Sequence, residues 1–379
     1  LLSMARGLNA VTRQMEQLGL VILKDEAGNY ASRGWRNIKI NGENIKPLLA
    51  AAVRQFPSVE VVEHVAVVDY LQAADGKTVT GAWGISVRED TVYFLQAKVV
   101  ICATGGASGL YRPNHPGSAR HTMWYSPFNT GAGYAMGLRA GAEMTTFEMR
   151  FIALRCKDTI APTGTLAQGV GAQQVNAQGR HYQAAYGNTT SERLYAVVSE
   201  NLAGRGPCYL ETHGITAEQQ ASLEKAYLNM APAQTMRWRE TGLGPSAADV
   251  EIEGTEPYVV GGHTASGYWI DTRRATTLPG LFAAGDVAGG CPQKYVTGAF
   301  VEGRIAAEAA ADYAAGRPLP AATASQWQLI MDRVGQLRVA PTAALLFSTD
   351  ELEEAMQQVM DEYAGGMATA YRYTEQQLR

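Results

Sequence analysis

The chain has 379 residues, of which 46% are hydrophobic and 18% charged, a composition typical of a globular protein with two or three domains. Its formal net charge of -4 indicates no global basic surface, so we expect no nucleic-acid partner. No apolar run approaches the roughly 18 residues that a membrane helix needs, so we expect no membrane span.

The four cysteines lie far apart and form no Cys-x-x-Cys pair. Their spacings fit neither a zinc site nor an iron–sulfur cluster, so we expect no metal. We expect reduced thiols in a cytoplasmic protein. The chain opens with Leu1-Leu2-Ser3 inside a helical pattern, so we expect its natural N-terminus to be missing, and a signal sequence stays open.

Residues 1–106 begin with an amphipathic pattern that predicts a helix over 4–21, ended by Gly19. A short strand over 35–40, an Asn-Gly turn and a helix over 45–56 follow. Runs of β-branched residues then predict a small β-meander. Its strands are expected at 59–62, 65–71, 79–87 and 92–95.

A short apolar run over 97–103 predicts a buried strand, which ends in Ala103-Thr104-Gly105-Gly106. Adjacent glycines after a buried strand let a ligand approach the backbone closely. Many strands that bind nothing also end in Gly-Gly, so this motif alone leaves both interpretations open.

Three further regions follow in chain order. Residues 107–255 are rich in loops and helices and predict an inserted domain. Residues 256–318 return to an α/β pattern, with a strand ending in Gly285-Asp286 and a helix from Gly298 to Tyr313. Residues 319–379 predict a helical C-terminal region, in which Ser348 and Glu351 form a capping box ahead of an amphipathic helix.

The strand ending at Asp286 and the helix that follows it form a second candidate ligand site. The carboxylate can accept a hydrogen bond from a ribityl or ribose hydroxyl. The expected helix start at Thr297-Gly298-Ala299-Phe300 would offer unpaired N–H groups and a positive dipole end. A solvated capping Asp before an ordinary helix is the competing interpretation.

The order of these motifs resembles the flavoprotein family that contains fumarate reductase, succinate dehydrogenase, L-aspartate oxidase and adenylylsulfate reductase. Within it the chain most resembles the adenylylsulfate reductase alpha subunits. The matching stretches are Ile40-Asn41-Gly42-Glu43, Ser86-Val87-Arg88-Glu89, Trp124-Tyr125, Asn129-Thr130-Gly131, Phe147-Glu148-Met149-Arg150-Phe151, Arg155-Cys156-Lys157-Asp158, Gly262-His263-Thr264 and Met360-Asp361-Glu362-Tyr363.

The resemblance implies an α/β fold: an FAD-binding Rossmann-like domain, an inserted α+β capping domain and a C-terminal helical region. The family's N-terminal Gly-x-Gly-x-x-Gly loop is not found, and Gly131-Ala132-Gly133 lacks its third glycine. We therefore expect the first βαβ unit to be missing. The implied FAD contacts are Ala103, Thr104, Gly105, Gly106, Thr130, Gly131, Asp286, Thr297, Gly298, Ala299 and Phe300.

The resemblance also implies a substrate site and a reaction. Arg155, Arg193 and His263 match residues that line the substrate pocket at the flavin, and Trp124 matches one that packs beside substrate. The implied reaction is reduction of adenylylsulfate to sulfite and AMP, or the reverse, at flavin N5. The implied electron source is a separate iron–sulfur subunit.

The stretch Thr159–Gln168 departs from the adenylylsulfate reductase pattern. Thr165, Leu166 and Ala167 stand where bulky aromatics are usual, and Gln168 replaces a leucine over the adenine side. An aromatic clamp on a base contributes roughly 1–3 kcal/mol. Hydride transfer to a dicarboxylate, as in fumarate reductase, is therefore an alternative function. A non-catalytic, flavin-free fragment or binding subunit is a second alternative, supported only by the missing glycine-rich loop.

Overall fold

The computed structural model describes residues 1–33, 37–38, 40–41, 44–113, 123, 125–337 and 348–379, without the side chains of residues 32, 33, 37, 41, 168 and 229. The described helices are α1 (Leu2–Ala5), α2 (Leu8–Gln17), α3 (Ile45–Arg54), α4 (Ala132–Ala140), α5 (Gly164–Gly169), α6 (Thr190–Leu202), α7 (Ala217–Met230), α8 (Pro232–Thr241), α9 (Gly261–Thr264), α10 (Tyr295–Ala314), α11 (Ala324–Leu337), α12 (Thr349–Tyr363) and α13 (Glu375–Leu378). The described strands are β1 (Val21–Ile22), β2 (Ser32–Arg33), β3 (Asn37–Ile38), β4 (Ile40–Asn41), β5 (Val65–Gln72), β6 (Val79–Ser86), β7 (Val92–Gln96), β8 (Val100–Cys102), β9 (Met144–Thr145), β10 (Leu154–Cys156), β11 (Gln174–Asn176), β12 (Cys208–Leu210), β13 (Val250–Gly254), β14 (Gly267–Tyr268) and β15 (Leu281–Ala283).

The two strands that precede the candidate ligand motifs lie side by side. Strands β8 and β15 are parallel, and Cys102 is in register with Ala283. Both strands therefore end at the same edge, where ligands bind in open α/β sheets. The apolar run over 97–103 predicts a strand that is buried on both faces. The strand is buried on one face only: Cys102 is 4% exposed, whereas Ile101 is 40% exposed.

The predicted β-meander is confirmed as a three-stranded antiparallel sheet in the order β5-β6-β7. The strand predicted over 59–62 is wrong. Val59, Val61 and Val62 have no strand partner in the described chain and are about half exposed. High β-propensity does not make a strand where no neighbouring backbone supplies hydrogen bonds.

The helix predicted over 4–21 is two helices, α1 and α2, which meet at Gly7. A Cβ added at Gly7 would lie 2.7 Å from the Val301 side chain of α10. The glycine thus allows the N-terminal helices to pack closely on α10, where Met4, Val11 and Met15 share a core with Val301. Gly19 follows the end of α2 with φ +103°, as predicted.

A four-stranded antiparallel sheet in the order β10-β13-β12-β11 lies within the predicted inserted domain, residues 107–255. Its largest core cluster includes Leu166, Leu210, Tyr227 and Ile252, all at most 1% exposed. The boundaries of the four predicted domains stay a prediction.

Helix α10 begins at Tyr295, three residues before the predicted start at Gly298. The N–H of Gly298 donates to the carbonyl of Lys294, at 2.8 Å. The unpaired N–H groups of the first turn therefore belong to residues 295–297.

The C-terminal helices pack on the rest of the chain through different kinds of contact. Helix α11 covers the meander, where Trp327 stacks on Phe94 with ring centroids 4.4 Å apart. The capping box of Ser348 and Glu351 at the start of α12 is confirmed. The predicted apolar face of α12 is largely exposed, and Gln357 and Asp361 are buried instead.

Two kinds of feature are absent from the described residues. No described helix has both the length and the hydrophobicity of a membrane span. Nor do the described His, Cys, Asp and Glu residues form a group that could hold a metal ion.

Candidate functional site

A cavity of about 490 Å³ lies at the carboxyl ends of β8 and β15, which we call the strand-end cavity. Small residues from both strand ends line it, namely Ala103, Gly105, Ala284 and Gly285. Gly105 and Gly285 have φ values of +77° and +75°, which favour glycine. A Cβ at Gly105 would lie 2.5 Å from Asn129 Nδ2, so this turn has no room for a side chain.

Asp286 lines the same cavity and is tied to the opposite strand end by a tyrosine. The hydroxyl of Tyr125 donates to Asp286 Oδ2 at 3.0 Å and accepts from the N–H of Gly106 at 2.9 Å. The hydroxyl of Tyr134 donates to the carbonyl of Asp286 at 2.8 Å. Tyr125 thus orients the carboxylate of Asp286, and Tyr134 holds its backbone, so the carboxylate is positioned to accept a hydrogen bond from a ligand.

His263, at the end of the short helix α9, also lines the strand-end cavity. Its ring stacks on Phe151 at 4.1 Å and meets the edge of Tyr295 at 5.5 Å. Burial lowers the pKa of His263, Asp286 opposes this shift, and the positive charge of Arg155 adds to it. The imidazole is therefore neutral at pH 7 and can act as a donor or an acceptor.

Arg155 lies at the centre of β10 and is 9% exposed. Burial lowers the pKa of its guanidinium to about 10, and Tyr258 acts in the opposite direction. Arg155 therefore stays charged at pH 7. The charge of Arg155 lowers the pKa of His263, so the structure brings these two predicted residues close enough to interact electrostatically.

Arg193 lies on the first turn of α6, and burial lowers its pKa. Its Nε and Nη2 atoms are buried and have no hydrogen-bond partner among the described residues. No described contact joins it to His263 or Asp286.

Trp124 and the side chain of Gln168 lie outside the described part of the chain. Leu166, in the divergent stretch, is 0% exposed and belongs to a hydrophobic core.

The remaining predicted cofactor contacts differ in how directly they border the strand-end cavity. The carbonyl of Thr104 accepts from Asn129 Nδ2 at 2.7 Å, and Thr130 forms a bridge with Ala107. Gly131 caps α4 with φ +90°. Ala299 lines the cavity, while Phe300 lines a neighbouring space with it. Thr297 and Gly298 belong to the first turn of α10.

Sequence reasoning missed the side chains that hold these turns in place. Tyr125 and Asn129 lie in the matching stretches, which imply no role for them, and Lys294 and Tyr295 lie in no motif. A tyrosine two residues before a Pro-Phe-Asn turn gives no local sign that it will reach a carboxylate 161 residues away.

Comparison with known proteins identifies the chain's family. The family model described as an FAD binding domain matches residues 10–298. The chain belongs to this family. FAD is therefore its cofactor, and the mixed α/β fold is that of the family's flavoproteins.

One protein similar to this chain is the adenylylsulfate reductase subunit alpha of Megalodesulfovibrio gigas. It is 30% identical over an alignment 319 residues long, which covers 71% of this chain and 48% of the relative. The chain thus spans about half the length of this relative.

Two solved structures resemble the chain along almost its whole length. One is the adenylylsulfate reductase of the hyperthermophilic Archaeoglobus fulgidus, with a TM-score of 0.90 and 32% identity, covering 99% of this chain and 67% of that one. The other is an adenosine-5-phosphosulfate reductase in complex with sulfite, with a TM-score of 0.90, 30% identity and the same coverage.

The residues of the strand-end cavity fit a bound flavin nucleotide. A volume of about 490 Å³ is in the range of small-molecule sites. The glycine turns at 105 and 285 place no side chain in the cavity, Asp286 supplies an oriented acceptor, and the start of α10 supplies unpaired N–H groups. We expect Gly105, Asp286 and Ala299 to contact FAD.

Proposed function

We propose that the protein is the flavoprotein of an FAD-dependent oxidoreductase that reduces adenylylsulfate to sulfite and AMP, or catalyses the reverse reaction. The observation that carries the proposal is the position of His263 in the lining of the strand-end cavity, with the buried cation Arg155 near enough to lower the pKa of its ring. It is supported by the likeness to two adenylylsulfate reductase structures over 99% of the chain.

Arg155 would supply the positive charge for an anionic substrate. Its guanidinium is a planar donor that suits sulfate and phosphate oxygens, and its burial strengthens its interaction with them. Arg193, with two nitrogens that have no described hydrogen-bond partner, would supply a second contact. Developing negative charge on a leaving phosphate is where such fixed cations contribute most.

His263 would orient the substrate at the flavin. The neutral ring is held between Phe151 and Tyr295, so one ring nitrogen can donate to a substrate oxygen at a fixed position. Bound FAD supplies the two-electron redox chemistry. Asp286, Gly105 and the start of α10 would hold it.

We propose that the electrons come from a separate iron–sulfur subunit. The curated relative is named as an alpha subunit, which supports an assembly with a second kind of chain. The four cysteines here are buried, free thiols. These thiols also support a location in the cytoplasm.

The divergent stretch at 159–168 bears on the choice of substrate. Leu166 packs in the core of the inserted domain and does not face the strand-end cavity. The change from an aromatic residue at this position is therefore a weaker argument against a nucleotide than the sequence alone indicates. Adenylylsulfate is therefore favoured over a dicarboxylate as the substrate.

The test is turnover of the full-length protein with a reduced dye as electron donor, with adenylylsulfate or fumarate as oxidant. We expect release of AMP and sulfite with adenylylsulfate, and no succinate from fumarate. The variant Arg155→Lys should lower kcat/KM for adenylylsulfate by about 100-fold, since a bidentate donor is lost. The matched control is Arg237→Lys, a partly exposed arginine paired with Asp158 on the same domain. Activity with fumarate alone would refute the proposal.

A further inference from the structure

Lys294 is a fully buried lysine beneath the strand-end cavity. Its ammonium group donates to the carbonyl of Gly285 at 2.7 Å and to that of Ala288 at 2.5 Å. These two carbonyls belong to the turn that carries Asp286. The lysine thus binds the first and the last residue of the turn, Gly285 and Ala288.

A buried carboxylate and a buried arginine complete this cluster. Glu302 lies 2.9 Å from Lys294 Nζ and 3.3 Å from Arg274 Nε, and the three side chains are at most 4% exposed. Glu302 also accepts from the N–H of Gly285, at 3.0 Å. The Gly285 turn is therefore bound at its carbonyl by Lys294 and at its N–H by Glu302.

The backbone of Lys294 connects two more parts of the site. Its N–H donates to the carbonyl of Gly262, next to His263, at 3.0 Å. Its neighbour Tyr295 lines the cavity and contacts the ring of His263. One residue therefore contacts or adjoins the segments that carry Asp286, His263 and Tyr295.

The backbone around the cluster is strained. Gln293, Tyr295 and Arg274 are non-glycine residues with φ values of +59°, +50° and +68°. A non-glycine residue in this conformation is disfavoured and persists only where surrounding contacts fix it. Such strain is concentrated at functional sites. The buried charges supply the contacts that fix it here.

We propose that Lys294 is a positioning residue of the flavin site: through its buried ammonium and its backbone it sets the relative positions of Asp286, His263 and Tyr295, and Glu302 and Arg274 hold it there. The inference rests on the proposed flavin chemistry of this cavity. It assigns Lys294 no contact with substrate. A lysine that only stabilises the fold is the competing explanation.

The variant Lys294→Met tests this. It keeps the length of the side chain and leaves Arg274 and Glu302 as a neutral pair, so no carboxylate is left without a partner. The matched control is Lys24→Met, which removes an ion pair of the same 2.9 Å length at the surface. Both are made in the full-length protein, and their folding is checked by far-ultraviolet circular dichroism.

We expect Lys294→Met to bind FAD about 10- to 100-fold more weakly than wild type, the range for losing one or two charge-assisted hydrogen bonds. The visible circular dichroism of its bound flavin should change as well, because the groups around the ring move. A merely structural lysine would not change that spectrum. The Lys24→Met protein should match wild type in both measurements.

An FAD affinity within twofold of the control, with an unchanged flavin spectrum, would overturn the proposal. If Lys294→Met does not fold, Lys294→Gln, which keeps an N–H donor, is measured in its place and should lie between wild type and the expected loss. Failure of both variants to fold would also overturn it, since the lysine would then serve the fold. Neither readout needs substrate, so the result is independent of whether adenylylsulfate is turned over.

Discussion

Tyr125 shows how a single hydroxyl joins the two halves of the flavin site. It accepts from Gly106 after β8 and donates to Asp286 after β15. Burial raises the pKa of its phenol, and the charge of Asp286 adds to the shift, so the hydroxyl keeps its proton and remains a donor. The two strand ends are therefore fixed relative to each other before any ligand binds.

His263 gives the protein a pH-dependent contribution to stability. Burial lowers its pKa below the ordinary 6.5, so the unfolded chain binds more protons than the folded one between these two values. Stability should therefore fall as the pH drops through 6.5. We expect His263→Phe to flatten the pH dependence of Tm between pH 7 and about 5.

His213 serves as a control, because its pKa is shifted in the opposite direction and its contribution to stability has the opposite pH dependence. Its hydrogen bond to Asp249 raises its pKa above 6.5, so its contribution is present at low pH and is lost as the pH rises through the folded value. The His213→Gln variant should thus keep the acid-side slope that His263→Phe loses. Equal slopes in wild type and His263→Phe would contradict the assignment.

At the scale of single elements, helix starts follow local rules. The side chains of Thr189, Thr216, Ser348 and Thr374 each accept from a backbone N–H three residues later, in capping boxes. Such boxes satisfy N–H groups of the first turn within a few residues of chain. They are therefore visible in the sequence, as Ser348 and Glu351 show.

Glu200 links helix α6 to the neighbouring strand and turn. Its carboxylate accepts from Arg205 at 2.7 and 2.8 Å and from Asn176 at 2.8 Å. The bonds from Arg205 contribute most to lowering its pKa, to about 2, against the opposing effect of burial. The stability from this group is thus present above pH 4.5 and is lost as the pH falls toward 2.

We expect Glu200→Gln to lower the free energy of unfolding at pH 7 by about 1–3 kcal/mol, a range that allows for the partial exposure of Arg205. Urea unfolding at pH 7 and pH 3 measures the loss, which should be smaller at pH 3. The control Glu308→Gln removes an exposed pair with Arg304 and should change stability little. An equal effect of both changes would show that burial of the pair does not matter.

At the scale of the whole molecule, one arginine binds the C-terminal region to the rest of the chain. Arg150 donates to the carbonyls of Ala364 and Gly365 and, at 3.2 Å, to that of Tyr371. Its guanidinium lies 4.7 Å from the centre of the Tyr373 ring. Arg150 immediately precedes Phe151, which stacks on His263, so this contact lies next to the site.

We expect Arg150→Met to loosen the segment after α12. A loss of about 2 kcal/mol would make amide exchange over residues 364–373 about 30-fold faster. Hydrogen exchange with peptide-level mass spectrometry measures this. The control Arg372→Met changes an exposed arginine in the same segment. If both variants exchange alike, Arg150 does not hold the segment.

The sequence alone determined much of the local structure and the family. The β-meander, the two strands that end in Gly-Gly and Gly-Asp, and the Ser348 cap depend on residues close together in the chain, so spacing and residue type predict them. The order of these motifs also predicted FAD. Predictions at Trp124 and Gln168 concern side chains outside the described residues and stay predictions.

Tertiary structure decided how the site is assembled. It split the N-terminal helix at Gly7 against Val301, left Val59, Val61 and Val62 without a strand partner, and buried Gln357 and Asp361 on α12. It also brought Lys294 beneath Asp286 and set Arg155 near His263. These arrangements depend on contacts between residues far apart in the chain. A local pattern does not specify such contacts, because it records which side chains are apolar but not which surface they will meet.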